Sequence, residues 1–319
     1  MKRWMAVFLL LVTVIPNAAG AEGGSVYHWV WENEDQNMSL YLLGETGWVV
    51  ESARQEEGYT YRTGAQAEAY RAFAEECGAK LYVYLVNSSR SLDFDNLQRE
   101  PYVWTLLREC YPDCELGCLE IGSIETYCDY FHKTDHHWNF RGAYRGYADV
   151  IRLLLGEDEP LMQPLETVTF PFMFNGSYNK DMERTDSDEA FTVYRFDYPD
   201  MKIQVNGRQR KEYGRAELFF EGRTNDMPVL TNYYSEFYGG DTGLVVFSTG
   251  NEDRESVMIV SNSYSNAINK LVACHFNNTV VVDPRMYDSE ADITVTQKEL
   301  AQEYGVTRIL LLGDAFFFR

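Results

Sequence analysis

The strongest constraint on the fold of this chain is a set of short apolar segments, separated by helical patterns, toward its C-terminal end. Val257-Met258-Ile259-Val260, Thr279–Val282 and Arg308–Leu312 lack polar alternation. Each therefore reads as a strand covered on both faces rather than one. Ala267, Ile268, Leu271 and Val272 mark a helix after the first strand, and Glu299–Tyr304 a helix before the last. Strand, helix, strand, helix, strand is the signature of a parallel sheet in an α/β protein. Lys80–Val86 (KLYVYLV) reads as a further buried strand, ending in the polar loop Asn87-Ser88-Ser89-Arg90. In open sheets of this kind active sites lie beyond the carboxyl ends of the strands.

The remaining segments fill in around that frame. Trp29-Val30-Trp31 and Leu40–Val50 are β-rich runs meeting at a Gly-containing turn and read as a hairpin. Ala65, Ala69, Phe73 and Cys77 give a helical period over Gly64–Gly78. Residues 96–110 read as helical around Pro101, and Leu119-Glu120-Ile121 as a short strand. Phe140, Ala143, Tyr144, Tyr147, Ala148, Ile151, Leu154 and Leu155 predict a long amphipathic helix, with Asn139 as N-cap and Gly156 as stop. Residues 157–250 are rich in Asp, Glu, Asn, Gly and Tyr, and read as an irregular, mostly β insertion or lid that includes Tyr233–Asp241.

Lys2 and Arg3, the apolar run Trp4–Ile15, Pro16 and Ala19-Gly20-Ala21 have the layout of a secretory signal cleaved after Ala21. An uncleaved anchor is the alternative. A run of twelve residues is short of the roughly 20 a membrane span needs. The expected organisation is a signal at 1–21 and a single exported α/β domain at 22–319, secreted or held at the cell envelope. Of 28 Lys and Arg, the signal carries two, so the mature charge is 26 − 49 = −23. A surface this acidic repels nucleic acid. It does not disfavour a polysaccharide, which is read through hydroxyls and aromatic stacking. Six cysteines, Cys77, Cys110, Cys114, Cys118, Cys128 and Cys274, are expected in disulfides or as idle thiols in an exported protein, with the pairing not legible.

One stretch concentrates the chemistry. Three of the five histidines fall within His132–His137, beside Asp135 and just before the long helix. An Asp and a His two residues apart need a nucleophile from elsewhere, and the sheet rule selects Ser261-Asn262-Ser263-Tyr264-Ser265 at the carboxyl end of VMIV. Ser263 would attack, His137 take its proton and Asp135 orient the imidazole. A serine in such a position is more often a helix cap. Gly313-Asp314-Ala315 also follows a strand, but alanine stands where a nucleophile would be. A zinc site on His132, Asp135 and His136 is the competing chemistry.

Thr134-Asp135-His136-His137-Trp138 with Gly142-Ala143-Tyr144 resembles the signature of the DHHW proteins of bacterial envelopes. These are similar to the periplasmic alginate O-acetyltransferases, whose fold is a permuted SGNH-hydrolase domain with Asp and His ahead of Ser. Ser261–Ser265 matches their serine turn, except that Ser261 and Asn262 stand where Gly or Asp is usual. Val282–Tyr287 resembles a segment that follows that turn, and Tyr238-Gly239-Gly240-Asp241 is a looser match. The resemblance implies Ser263, His137 and Asp135 as catalytic residues. His136, Tyr264 and Arg285 are the candidate substrate contacts around them, although packing beside His137 is the favoured role of His136, and local neutralisation of Asp283 that of Arg285. The expected function is an exported serine-dependent O-acetyltransferase or acetylesterase acting on a polysaccharide, without cofactor or metal. A membrane protein that donates the acyl group is a further implied partner. The alternative is a catalytically inactive glycan-binding relative of the same fold.

Overall fold

The computed structural model describes residues 24–34, 38–53, 58–215, 217–224 and 233–319. The signal segment 1–21 lies outside them. In chain order the strands are β1 (Tyr27–Asn33), β2 (Met38–Leu43), β3 (Val49–Glu51), β4 (Lys80–Leu85), β5 (Glu115–Cys118), β6 (Glu166–Met173) and β7 (Ala190–Arg195). They continue with β8 (Lys202–Val205), β9 (Arg208–Arg210), β10 (Leu244–Ser248), β11 (Ser256–Ser261), β12 (Asn278–Val282) and β13 (Val306–Gly313).

Eight of these form one sheet in the order β5-β4-β13-β11-β12-β10-β8-β9. From β5 to β12 the strands are parallel, and β10, β8 and β9 add antiparallel pairs at the other side. The period-two alternation of a strand sends successive side chains to opposite faces. On one face lie Tyr82, Tyr84, Val257, Ile259, Leu310 and Leu312. On the other lie Leu81, Val83, Met258, Val260, Ile309 and Leu311. Both faces are covered, which is why these strands show no polar alternation.

Four helices supply most of that cover: α1 (Gly58–Cys77), α2 (Tyr102–Cys110), α3 (Ile124–Tyr130) and α4 (Phe140–Leu155). α4 lays Ala143, Tyr147, Val150, Ile151 and Leu154 on the first face. α1, α2 and the helix Gln297–Glu303 cover the second with Ala67, Ala74, Val103, Leu107, Leu300 and Ala301. The last of these helices opens on a complete capping box between Thr296 and Glu299. No helix among the described residues is long and apolar enough to cross a membrane.

Two expectations are revised. The short strand is Glu115–Cys118 rather than Leu119–Ile121, and Leu119 only extends its pairing through its N–H to the Leu85 carbonyl. Residues 157–250 are not a region apart: β6 and β7 form their own hairpin, but β8, β9 and β10 extend the main sheet. Val245, Val246 and Phe247 are buried there on both faces. The six cysteines are all free thiols. They are partly buried, and burial pushes Cys118, Cys128 and Cys274 up to about 11.

Candidate active site

β4, β11 and β13 end side by side, and the chain that leaves each of them enters one cluster. After β11 the backbone turns at Asn262 into a short 3₁₀ segment, Ser263–Ala267. The Asn262 side chain caps this turn by accepting from the Tyr264 N–H, and its carbonyl accepts from the Ser265 N–H. Ser263 is thereby held at the mouth of the sheet. Ser261 turns its hydroxyl onto the Asn262 carbonyl at 2.7 Å.

The loop before α4 faces this turn. Asn139 accepts from the Arg141 and Gly142 N–H groups, which satisfies donors that an α-helix leaves open at its start. Phe131 and Trp138 pair as an isolated bridge across the base of the loop. Trp138 is fully buried and rests against α4 at two glycines. A Cβ at Gly146 would stand 2.3 Å from Cζ3 of Trp138, and one at Gly142 would stand 2.1 Å from the Tyr130 carbonyl. The glycine of the motif is therefore a requirement of close packing between the loop and the helix.

Held this way, His137 places Nε2 2.7 Å from Ser263 Oγ and Nδ1 2.6 Å from Asp135 Oδ1. Asp135 Oδ1 also accepts the His137 N–H, and Oδ2 accepts the Ser177 N–H at 2.6 Å. Burial alone would raise the Asp135 pKa. Its interactions with His137 and then His136, and the His137 hydrogen bond, outweigh it and hold the carboxyl well below the usual carboxylate range. Burial first, then His137 and Arg90, lower the His136 pKa. Ser263 remains slightly exposed at 8%, against 0% for Asp135.

Two groups absent from the sequence reading complete the arrangement. The first is Gly176-Ser177, which follows the hairpin strand β6. A Cβ at Gly176 would meet the Asp135 Cβ at 2.3 Å, and Gly176 N–H donates to the Thr134 hydroxyl. The second is Tyr234, whose ring stacks on His137 with centroids 3.9 Å apart and planes 11° apart. Its hydroxyl donates to the Ser263 carbonyl at 3.2 Å. Neither residue sits in a pattern that marks it: one is a glycine after a strand and the other a tyrosine among many.

The remaining expected residues are placed as follows. His136 bonds through Nδ1 to the Ser177 hydroxyl at 2.8 Å and packs beside His137 with the rings tilted by 36°, its side chain 20% exposed. Tyr264 is fully buried and donates its hydroxyl to the His136 carbonyl, so it braces the loop and does not face substrate. Arg285 forms ion pairs with Asp283 and Asp241, the local neutralisation favoured for it from the sequence. The donor atoms of Asp135, His136 and His137 lie within 4.8 Å of one another. His132 is turned away from them and bonds Glu189 at 2.7 Å, which removes it from the zinc set proposed with Asp135 and His136. Asp314, in the Gly313-Asp314-Ala315 block that lacks a nucleophile at Ala315, is buried beside the serine turn. It accepts from Asn262 at 3.1 Å and from Arg90 at 3.0 Å, while Arg90 also pairs with Glu51.

This is an α/β fold with a mostly parallel sheet and a Ser, His and Asp arranged in hydrogen-bonding sequence at its carboxyl edge. No family profile matches the chain, and no curated protein matches it in sequence. Solved structures do match in fold. A DHHW family protein from Eubacterium siraeum shares 18% identity at a TM-score of 0.63, over 91% of this chain and 95% of that one. Bacillus cereus PatB1 with a sulfonyl adduct shares 15% identity at a TM-score of 0.66, over 92% of this chain and 99% of that one. Bacillus cereus PatB1 itself shares 17% at 0.64, over 89% and 99%. The chain thus has the fold of DHHW and PatB1 proteins over nearly its whole length, in line with the resemblance read from Thr134–Trp138.

Proposed function

We propose that the chain is an exported serine-dependent acyl-transfer enzyme that moves an acetyl or similar acyl group to or from a polysaccharide hydroxyl. One observation carries the reading: Ser263 Oγ, His137 and Asp135 are linked by two hydrogen bonds of 2.7 and 2.6 Å. The order in the chain, Asp and His before Ser, fits the permuted SGNH arrangement that the motif resemblance implies. The export reading rests on the N-terminal pattern of the sequence.

With the ionised Asp135 accepting from His137 Nδ1–H, the imidazole keeps Nε2 free to take the Ser263 proton. Oγ then attacks the acyl carbonyl carbon to give a tetrahedral oxyanion. Collapse breaks the bond to the leaving alkoxide, which takes the proton back from His137, and the acyl group stays on Ser263. An acceptor hydroxyl gives its proton to Nε2 and attacks the acyl-enzyme carbonyl; collapse breaks the bond to Ser263 Oγ, which takes the proton back from Nε2, and the acyl group leaves on the acceptor. A sugar hydroxyl as acceptor makes the protein a transferase, and water makes it an esterase.

The test is incubation with p-nitrophenyl acetate followed by intact and peptide mass spectrometry. An acetyl group on the Ser263 peptide, absent in Ser263→Ala, is expected. A folded wild-type protein that carries no such adduct refutes the catalytic reading and leaves the glycan-binding relative. PatB1 exists with a sulfonyl adduct. A sulfonyl fluoride on this chain is therefore a second probe of the same serine.

A further inference from the structure

Tyr234 belongs to neither of the segments that carry Ser263, His137 and Asp135, yet it touches both. It lies in the short helix Tyr233–Tyr238 and is fully buried. Its hydroxyl donates to the Ser263 carbonyl at 3.2 Å and has the Tyr264 carbonyl at 3.4 Å. These contacts seat the side chain against the serine turn. The ring itself lies on the His137 imidazole, with centroids 3.9 Å apart and planes 11° from parallel. Two other rings touch the imidazole at steeper angles, His136 tilted by 36° and Tyr264 by 56°. Tyr234 therefore supplies the flat surface on which the imidazole rests. Tyr238 supports it from the same helix at 5.1 Å, and His132 meets it edge-on at 87°.

The importance of that surface changes along the reaction. In the free protein two bonds fix the imidazole, Nδ1 to Asp135 at 2.6 Å and Nε2 to Ser263 at 2.7 Å. Once Oγ is acylated it has no proton to donate, and Nε2 has returned its own proton to the leaving alkoxide. Only the bond from Nδ1–H to Asp135 then remains. A ring held at one corner pivots, and pivoting carries Nε2 away from the place where it must take a proton from the acceptor. The ring torsion of a histidine is broad, so the side chain does not resist this motion by itself. A flat neighbour at van der Waals distance does, because rotation drives the imidazole edge into it.

From this geometry we infer that Tyr234 is a positioning residue for the second half of the reaction. It keeps the His137 imidazole aimed at the acyl group during the interval in which Ser263 no longer holds it. The inference rests on the acyl-transfer reading for the steps concerned. It goes beyond that reading by assigning the two half-reactions different dependence on one side chain.

The test measures the two half-reactions separately on the full-length chain. Release of p-nitrophenolate from p-nitrophenyl acetate reads acylation, and decay of the acetylated mass after removal of the ester reads deacylation. Tyr234→Leu should slow deacylation about tenfold or more beyond any slowing of acylation. Tyr234→Phe keeps the flat ring and loses only the hydroxyl, so both steps should stay within about tenfold of the parent, with their ratio unchanged. Tyr233→Leu removes a buried ring of the same helix that packs on Phe172 at 4.3 Å, and should lower stability without altering the ratio. Tyr234→Met is the second variant where the leucine one does not fold. A further measurement needs no turnover: Ser263→Ala removes the Nε2 partner, as acylation does. The His137 Nδ1–H resonance in ¹⁵N-histidine-labelled Ser263→Ala, assigned by its loss in His137→Gln, should be sharp, and should broaden or vanish when Tyr234→Leu is added. Equal slowing of both steps, an adduct as short-lived in Tyr234→Leu as in the parent, or a resonance equally sharp in both backgrounds overturns the inference. Absence of any adduct on wild-type Ser263 refutes the acyl-transfer reading instead, and the resonance then still decides whether Tyr234 holds the ring.

Discussion

Asp135→Asn is the substitution whose outcome the structure constrains most tightly, because both oxygens of the carboxylate are engaged. Oδ1 receives two N–H donors from His137 and Oδ2 receives the Ser177 N–H. An amide has only one oxygen, so two orientations must be compared. With the oxygen toward His137, the amide NH₂ is pressed against the Ser177 N–H across a spacing that is 2.6 Å in the parent. A buried donor left unpaired costs about 1–3 kcal/mol, so stability falls while the imidazole keeps its tautomer. With the oxygen toward Ser177, the NH₂ faces the His137 backbone N–H and ring. The ring then carries its proton on Nε2, which cannot accept from Ser263, and a loss of about 10⁴ in kcat is expected from a wrong tautomer of this kind. Urea unfolding and p-nitrophenyl acetate kinetics on the same preparation measure both branches. A variant as stable and as active as its parent would refute the hydrogen-bond assignment around Asp135.

Three further outcomes follow from the same structure. Gly146→Ala should destabilise by about 1–3 kcal/mol by overpacking against Trp138, although Gly→Ala in an open helix is worth up to about 1 kcal/mol in the other direction; a raised Tm would contradict the close approach. Arg90→Met leaves Glu51 and Asp314 buried without their shared cation and should cost about 3–5 kcal/mol in chemical unfolding, whereas an unchanged midpoint would show that the ion pairs are not formed. His275 accepts from the Tyr147 hydroxyl and bonds Glu159, and burial lowers its pKa. Since the unfolded state binds the proton more readily, stability is present above the ordinary histidine value near 6.5 and falls as pH drops below it, by at most about 1.4 kcal/mol per pH unit. His275→Gln should flatten that part of the stability–pH curve, and a curve unchanged in slope would reject the assignment.

The central sheet was legible because its strands are buried on both faces, which leaves a mark in every residue of VMIV and KLYVYLV. The Asp135, His137 and Ser263 grouping was legible for a related reason, since a helix N-cap and a strand end are local features with fixed positions in such a sheet. Gly176, Ser177 and Tyr234 were not legible: each acts through one long-range contact, and long-range contacts leave no periodic trace. Tyr264 shows the opposite case. Its place beside Ser263 suggested substrate contact, yet its ring is directed into the core. Strands β8 to β10 escaped as sheet members because the pairings that join them to the main sheet, β8 with β10 and β10 with β12, link segments far apart along the chain.

The hairpin that supplies Ser177 has one more consequence. Asp135 belongs to the loop before α4, but the Ser177 N–H that holds its Oδ2 comes from 42 residues further on, and Glu189, in the same connection between β6 and β7, clamps His132 and Lys133. The hairpin forms a two-stranded sheet of its own beside the main one. Order at Asp135 and order of the main sheet are therefore expected to be separable quantities. On the proposed reading, two preparations with the same melting temperature can differ in the fraction of chains whose Asp135 is seated, and acyl labelling of the proposed nucleophile Ser263 is expected to report that fraction where calorimetry does not.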